Sequence, residues 1–307
     1  MKIRANNIDI EVEDSGPGVA GDVRPAVLLI MGLGMQLIAW PPAFVQALVD
    51  AGYRVIRFDN RDIGLSRHFD ECGAPNLVWA AIKFRLRLPV QSPYSLTDMA
   101  SDALGVLDAL QIKRAHVVGV SMGGMIAQRV AIASPARVIG LTSIMSSSGA
   151  RGLPEARPEV LKALLGRPKS KELKDIVAYY ARLFKVIGSP AFPVLEAELH
   201  ERVLAGIQRS YHPAGSARQT LAIVADATRP QELKHITSPT LVLHGKADPL
   251  VPFACGADTA KRIAGAKLVG IEGMGHDLPP GVVQHLLTHL LPFLATNQPA
   301  AEPVKVT

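Results

Sequence analysis

Ser121 stands in the frame Gly119-x-Ser121-x-Gly123, between residues suited to a strand and residues suited to a helix. Val117, Val118 and Val120 are β-branched, and apolar residues recur at helical spacing over 125–133. A serine on such a turn takes a strained backbone conformation. Its neighbours two residues away crowd each other, so both must lack side chains. The frame therefore predicts a hydroxyl lifted above the end of a sheet, where it can act as a nucleophile, with Gly119 and Gly123 as the glycines that permit it.

A serine hydroxyl attacks poorly until a base takes its proton, and the base needs an acid to hold its tautomer. Both are expected downstream, in loops after strands. A strand over 241–244 leads to Gly245-Lys246-Ala247-Asp248, and a strand over 267–271 leads to Glu272-Gly273-Met274-Gly275-His276-Asp277. The order Ser121, Asp248, His276 is the one a strand–turn–helix nucleophile requires. Asp248 precedes Pro249, a turn-opening pair compatible with that role. His244 is the nearest rival base because it ends a strand, but it comes before the acid. His116 lies inside a strand and reads as buried packing, and His285 and His289 fall on the last helix. Asp277 points away from its neighbour His276 and reads as fixing the loop.

Acyl transfer also needs two donors aimed at the developing oxyanion. The Met122 N–H follows the nucleophile at a helix start. The second is expected in the loop after the strand over 26–31, where Gly32 and Gly34 let the backbone approach closely, and Leu33 N–H is the candidate. No Lys-Ser/Thr follows these glycines, so they do not read as a phosphate cradle.

The elements that must carry these groups alternate. Short alternating runs over 2–4 and 8–12, joined by Asn6-Asn7, predict a hairpin. Strands are expected at 26–31, 53–58, 117–120, 138–144, 240–244 and 267–271. Helices are expected at 41–51, 96–110 with Ser95 as N-cap, 125–134, 254–263 and 282–294. That alternation predicts a parallel sheet with helices on both faces. It pauses from 146 to 236, where only helical patterns occur, at 160–165, 173–186, 194–207 and 217–225. The expected organisation is a core of 1–145 and 237–296, a helical cap of 146–236, and a loose tail at 297–307.

Composition supports that class and excludes others. The chain has 307 residues, 48% of them hydrophobic but only 5% aromatic, which suits helices packed on a buried sheet. The net charge is +6, yet no basic run is interleaved with aromatics, so no nucleic-acid partner is expected. Cys72 and Cys255 form neither a disulfide framework nor a metal motif. No signal-peptide core and no run of eighteen apolar residues is present, so the expectation is a cytoplasmic protein without membrane, metal or cofactor.

With these pieces in order, the chain resembles a capped member of the α/β-hydrolase superfamily. The matching segments are Met31-Gly-Leu-Gly34, Arg57-Phe-Asp-Asn-Arg-Asp-Ile-Gly-Leu-Ser66, Gly119-Val-Ser-Met-Gly-Gly124 and the loops bearing Asp248 and His276. The Met-Gly opening and the loop from Arg57 resemble bacterial esterases of the aclacinomycin methylesterase type. The resemblance implies an α/β fold with a mostly parallel eight-stranded sheet and a cap inserted after strand 6. It implies a serine hydrolase of small to medium carboxylic esters. It also implies a homodimer, because caps of this kind often supply dimer contacts. A lactonase, or a cofactor-free haloperoxidase or perhydrolase, would use the same triad. A non-catalytic small-molecule-binding member of the fold is the alternative of another class. Apolar cap positions, Phe184 and Phe192 among them, are the candidates for lining an ester pocket.

Overall fold

The computed structural model describes residues 1–16 and 24–298 of the chain. Eight strands form one sheet: β1 (Lys2–Ala5), β2 (Ile8–Asp14), β3 (Ala26–Ile30), β4 (Arg54–Phe58), β5 (Ala115–Val120), β6 (Val138–Ile144), β7 (Thr240–Gly245) and β8 (Lys267–Ile271). Their order across the sheet is β1-β2-β4-β3-β5-β6-β7-β8. The first two strands run antiparallel to their neighbours and every other pair is parallel. Asn6 and Asn7 turn the β1–β2 hairpin with φ of 46° and 63°, the left-handed conformation that asparagine tolerates.

The helices of the core are α1 (Pro42–Asp50), α2 (Leu77–Arg85), α3 (Leu96–Ala109) and α4 (Met122–Ala133). Between β6 and β7 lie α5 (Pro158–Leu164), α6 (Leu173–Ile187), α7 (Glu196–Arg209), α8 (Pro213–Ala225) and the short α9 (Arg229–Glu232). The chain ends with α10 (Phe253–Arg262) and α11 (Pro280–Thr296). Side chains of β3 alternate between two cores. Leu28 and Ile30 join Val106 of α3 and Ile126 of α4 on one face. Val27 and Leu29 join Leu48 of α1 and Leu286 of α11 on the other. A sheet covered on both faces accounts for strands that read as continuous apolar runs. Ser95 caps α3 in a complete capping box with Asp98.

Three expectations change. The helix α2 was not foreseen, because its apolar residues do not gather on one side: Val78, Trp79 and Ile82 are exposed while Ala80 is buried. It begins where the Asn76 side chain accepts the Trp79 N–H. The last helix runs through Pro292 to Thr296. The tail expected from 297 begins with an anchor, since Gln298 donates to the Tyr53 hydroxyl at 2.8 Å, and from 299 onward it lies outside the described residues. No described helix is long and apolar enough to cross a membrane.

Candidate active site

Ser121 links β5 to α4 with φ 56° and ψ −122°, a conformation that strains any residue with a side chain. Its own backbone is pinned. Its N–H donates to the Ile144 carbonyl at 2.9 Å, and its carbonyl accepts from Ser146 Oγ at 2.7 Å. A Cβ on Gly119 would clash with the Gly123 oxygen, and one on Gly123 would clash with the Ile30 oxygen. Both positions must be glycine for the turn to sit on β3.

The loops after β7 and β8 bring the other two groups to this turn. His276 Nε2 lies 3.0 Å from Ser121 Oγ, and His276 Nδ1 lies 2.7 Å from Asp248 Oδ2. The Asp248 carboxylate is buried and aimed by its own turn, because Oδ1 accepts from the N–H groups of Leu250 and Val251 at 2.9 and 2.8 Å. All three residues lie just past the C-terminal ends of parallel strands, where such sheets place their sites. His244 lies beneath the acid instead. Its Nε2–H donates to the Val251 carbonyl at 2.7 Å, and burial pushes its pKa below the usual histidine value, so it sits neutral. Its Nε2 is 3.7 Å from Asp248 Oδ2.

The loop after β3 runs along the serine. A Cβ on Gly32 would meet Ser121 Cβ at 3.2 Å. A turn from Gly32 to Met35 is closed by the Met35 N–H at 3.2 Å from the Gly32 oxygen. Among the described residues, neither the Leu33 N–H nor the Met122 N–H donates to a protein acceptor. Met122 also opens a twelve-residue helix, whose positive end faces the turn.

The loop after β4, whose polar residues carried much of the resemblance, braces the others. Asp59 is buried and accepts from the N–H groups of Leu37 and Leu65. Asn60 Nδ2 donates to the Met31 carbonyl at 2.9 Å. Arg61 pairs with Asp102 at 2.6 Å, and Asp62 pairs with Arg218 of α8 at 2.7 Å. Burial is the largest single influence on the Asp62 carboxyl and raises it, but the hydrogen bonds from Arg218, the Phe69 N–H and Tyr94, with the Arg218 charge, together outweigh it and hold the pKa below the usual carboxylate value.

The segment between β6 and β7 grips the site from above. The His276 N–H donates to the Ile187 carbonyl at 2.7 Å, and the Gly275 N–H donates to Ser189 Oγ at 2.8 Å. The same hydroxyl donates to Asp277, so that carboxyl fixes the loop, as its adjacency to His276 predicts. Burial raises the Asp277 pKa above the usual value. Of the two phenylalanines expected to line a pocket, Phe192 stacks edge-on against His285 at 5.4 Å and covers Gly281, which are packing contacts with α11. Phe184 is half-buried on α6, one turn before Ile187.

Sequence reasoning did not find Ser189, Arg209 or Gln219. Nothing in their local sequence marks a polar residue of the cap whose partner lies more than eighty positions away.

One cluster has metal-ligand types, His68, Asp70 and His212. The two imidazoles stack at 4.0 Å, and Arg218 Nη2 lies 3.0 Å from His212 Nε2, so a guanidinium holds the lone pair that a cation would need.

A model of the alpha/beta hydrolase family matches residues 27–283, a range that includes Ser121, Asp248 and His276. The chain belongs to the alpha/beta hydrolase family. It is 31% identical over 290 residues to rhodomycin D methylesterase DauP of Streptomyces sp. strain C5, covering 88% of this chain and 90% of that one. Rhodomycin D methylesterase DnrP of Streptomyces peucetius is also 31% identical, over 91% of this chain and 93% of its own. Among solved structures, the enol-lactonase of Burkholderia xenovorans LB400 superposes with a TM-score of 0.69 at 22% identity, covering 96% of this chain and all of that one. The latter likeness is one of fold. As an α/β hydrolase with esterases among its relatives, this chain is a carboxylic ester hydrolase.

Proposed function

We propose that the chain is a serine esterase that works through an acyl-enzyme, with Ser121 as nucleophile, His276 as base and Asp248 as the acid that orients it. The observation that carries this is the continuous chain of contacts from Ser121 Oγ to His276 Nε2 at 3.0 Å and from His276 Nδ1 to Asp248 Oδ2 at 2.7 Å. Ser121 Oγ attacks the ester carbonyl while His276 Nε2 takes its proton. The charge that develops on the carbonyl oxygen meets the Leu33 and Met122 N–H groups, which have no protein acceptor of their own among the described residues. Asp248 holds the proton on Nδ1 and stabilises the imidazolium. The bond to the alcohol then breaks, and His276 returns the proton to the departing oxygen. Water attacks the acyl-Ser121 by the same route, giving the acid and restoring the hydroxyl.

Residues 146–236 serve as the cap over this site, with 1–145 and 237–296 as the core that holds it. The methylesterase relatives support an ester with a small alcohol group. Two free cysteines, one exposed and one buried, fit a reducing cytoplasm. A panel of carboxylic esters, lactones and amides with purified protein tests the reading. Methyl and other short-alcohol esters should be the best substrates. Activity confined to peracid formation, or none on any ester, would overturn it.

A further inference from the structure

We infer that Gln219, a residue of the cap, is a positioning residue for the oxyanion-binding loop. The inference rests on the proposed serine-esterase reading, in which the Leu33 N–H is an oxyanion donor. That donor has a glycine on either side, and Gly34 sits at φ 69°. A segment of this kind has no intrinsic preference for one orientation of its peptides, because glycine occupies left- and right-handed conformations about equally. Something outside the segment must fix it.

The fixing group comes from α8. Gln219 is fully buried, and both ends of its amide are used. Its Oε1 accepts the Gly34 N–H at 2.9 Å, on the peptide next to the proposed donor. Its Nε2 donates to the Arg61 carbonyl at 2.9 Å, which ties the amide to the braced loop after β4. One turn earlier on α8, Ser216 Oγ lies 2.8 Å from where a Gly34 Cβ would stand, so the loop is pressed against the helix. Further along the loop, Gln36 is bound through Nε2 to the carbonyls of Gly206 and Ser210, and through Oε1 to Arg209. The cap therefore sets the loop that receives the oxyanion, and Gln219 sets the peptide beside the donor. A displacement of about 1 Å in such a donor is enough to cost about 10²-fold in rate.

The test compares Gln219→Met, which keeps the length and loses both hydrogen bonds, with Gln219→Glu, which keeps an acceptor for the Gly34 N–H. Thr220→Ala on the same helix is the control for general loosening of the cap. The Met variant should lose about 10²-fold in kcat with little change in KM, and its affinity for a trifluoromethyl ketone should fall in parallel, because that ligand places an oxyanion in the same hole. The Glu variant should recover most of the loss, and the Thr220 variant should stay near the wild type. A Met variant with unchanged kcat and ketone affinity would overturn the inference, as would a loss that appears only in KM or equally in Thr220→Ala. If the Met variant does not fold, Gln219→Ala, which loses the same two hydrogen bonds, decides in its place: an unchanged kcat and ketone affinity in it overturn the proposal. Failure of the underlying reading looks different, since Ser121→Ala would then retain activity whatever happens at Gln219.

Discussion

The backbone N–H of His276 donates to the carbonyl of Ile187 at 2.7 Å, so the residue that faces Ser121 hangs from the last turn of a cap helix. The segment between β6 and β7 thus meets the rest of the chain at His276 as well as at the loop after β3.

Ser121→Ala should abolish ester hydrolysis and leave the fold intact, since alanine takes the same strained turn with less crowding. Stoichiometric labelling by a serine-directed fluorophosphonate, followed by mass spectrometry, should disappear in the variant. Labelling that persists would remove Ser121 from the mechanism.

Asp248→Asn should lower kcat by up to about 10⁴-fold. The Leu250 and Val251 N–H groups will keep the amide oxygen, which leaves the NH₂ facing His276 Nδ1 and forces the proton to the wrong nitrogen. Asp277→Asn should cost far less, because an amide oxygen still accepts from Ser189 Oγ. Steady-state rates of the two variants give the comparison, and a reversed order would mean that the acid is misassigned.

His116 predicts a pH dependence of stability. It is buried in β5 with neither ring nitrogen bonded, and burial first, then Arg114, lower its pKa from 6.5 to about 4. A depressed histidine pKa means that the unfolded chain binds the proton more readily. Stability is therefore complete above pH 6.5 and is lost as pH falls towards about 4, by on the order of 3 kcal/mol. Denaturant unfolding across that window should show the slope, and His116→Leu should flatten it. An equal slope in both proteins would contradict the assignment.

Chelation should leave activity unchanged. The proposed chemistry uses side chains and backbone only, and the His68–Asp70–His212 cluster is filled by the Arg218 guanidinium. Activity lost to EDTA and restored by zinc would contradict this.

The two cap phenylalanines should part company. Phe192→Ala should lower stability by roughly 2 kcal/mol, less than a fully buried phenylalanine, through lost packing on Gly281 and His285, with little change in substrate preference. Phe184→Ala should shift the chain-length profile of p-nitrophenyl esters. An unchanged profile in both would return the substrate question to the core loops.

The sheet, the turn at Ser121 and the three candidate residues past its strand ends are legible in the sequence alone. Each depends on local rules: alternation of apolar strands and amphipathic helices, a serine flanked by glycines that cannot carry side chains, and an acid and a base each in a loop after a strand. Those rules operate over a few residues and leave a readable pattern. The helix α2 escaped them because its apolar residues point outward as well as inward, so no period stands out. Gln219, Ser189 and Arg209 escaped for a different reason. Their roles are set by partners 185, 86 and 150 positions away, at Gly34, Gly275 and Asp59. A buried glutamine on a helix reads as an ordinary polar residue until folding brings its amide against one particular backbone N–H. Only the tertiary structure decides which polar groups of the cap meet which loops of the core, because a hydrogen bond acts over about 3 Å and carries no trace along the chain.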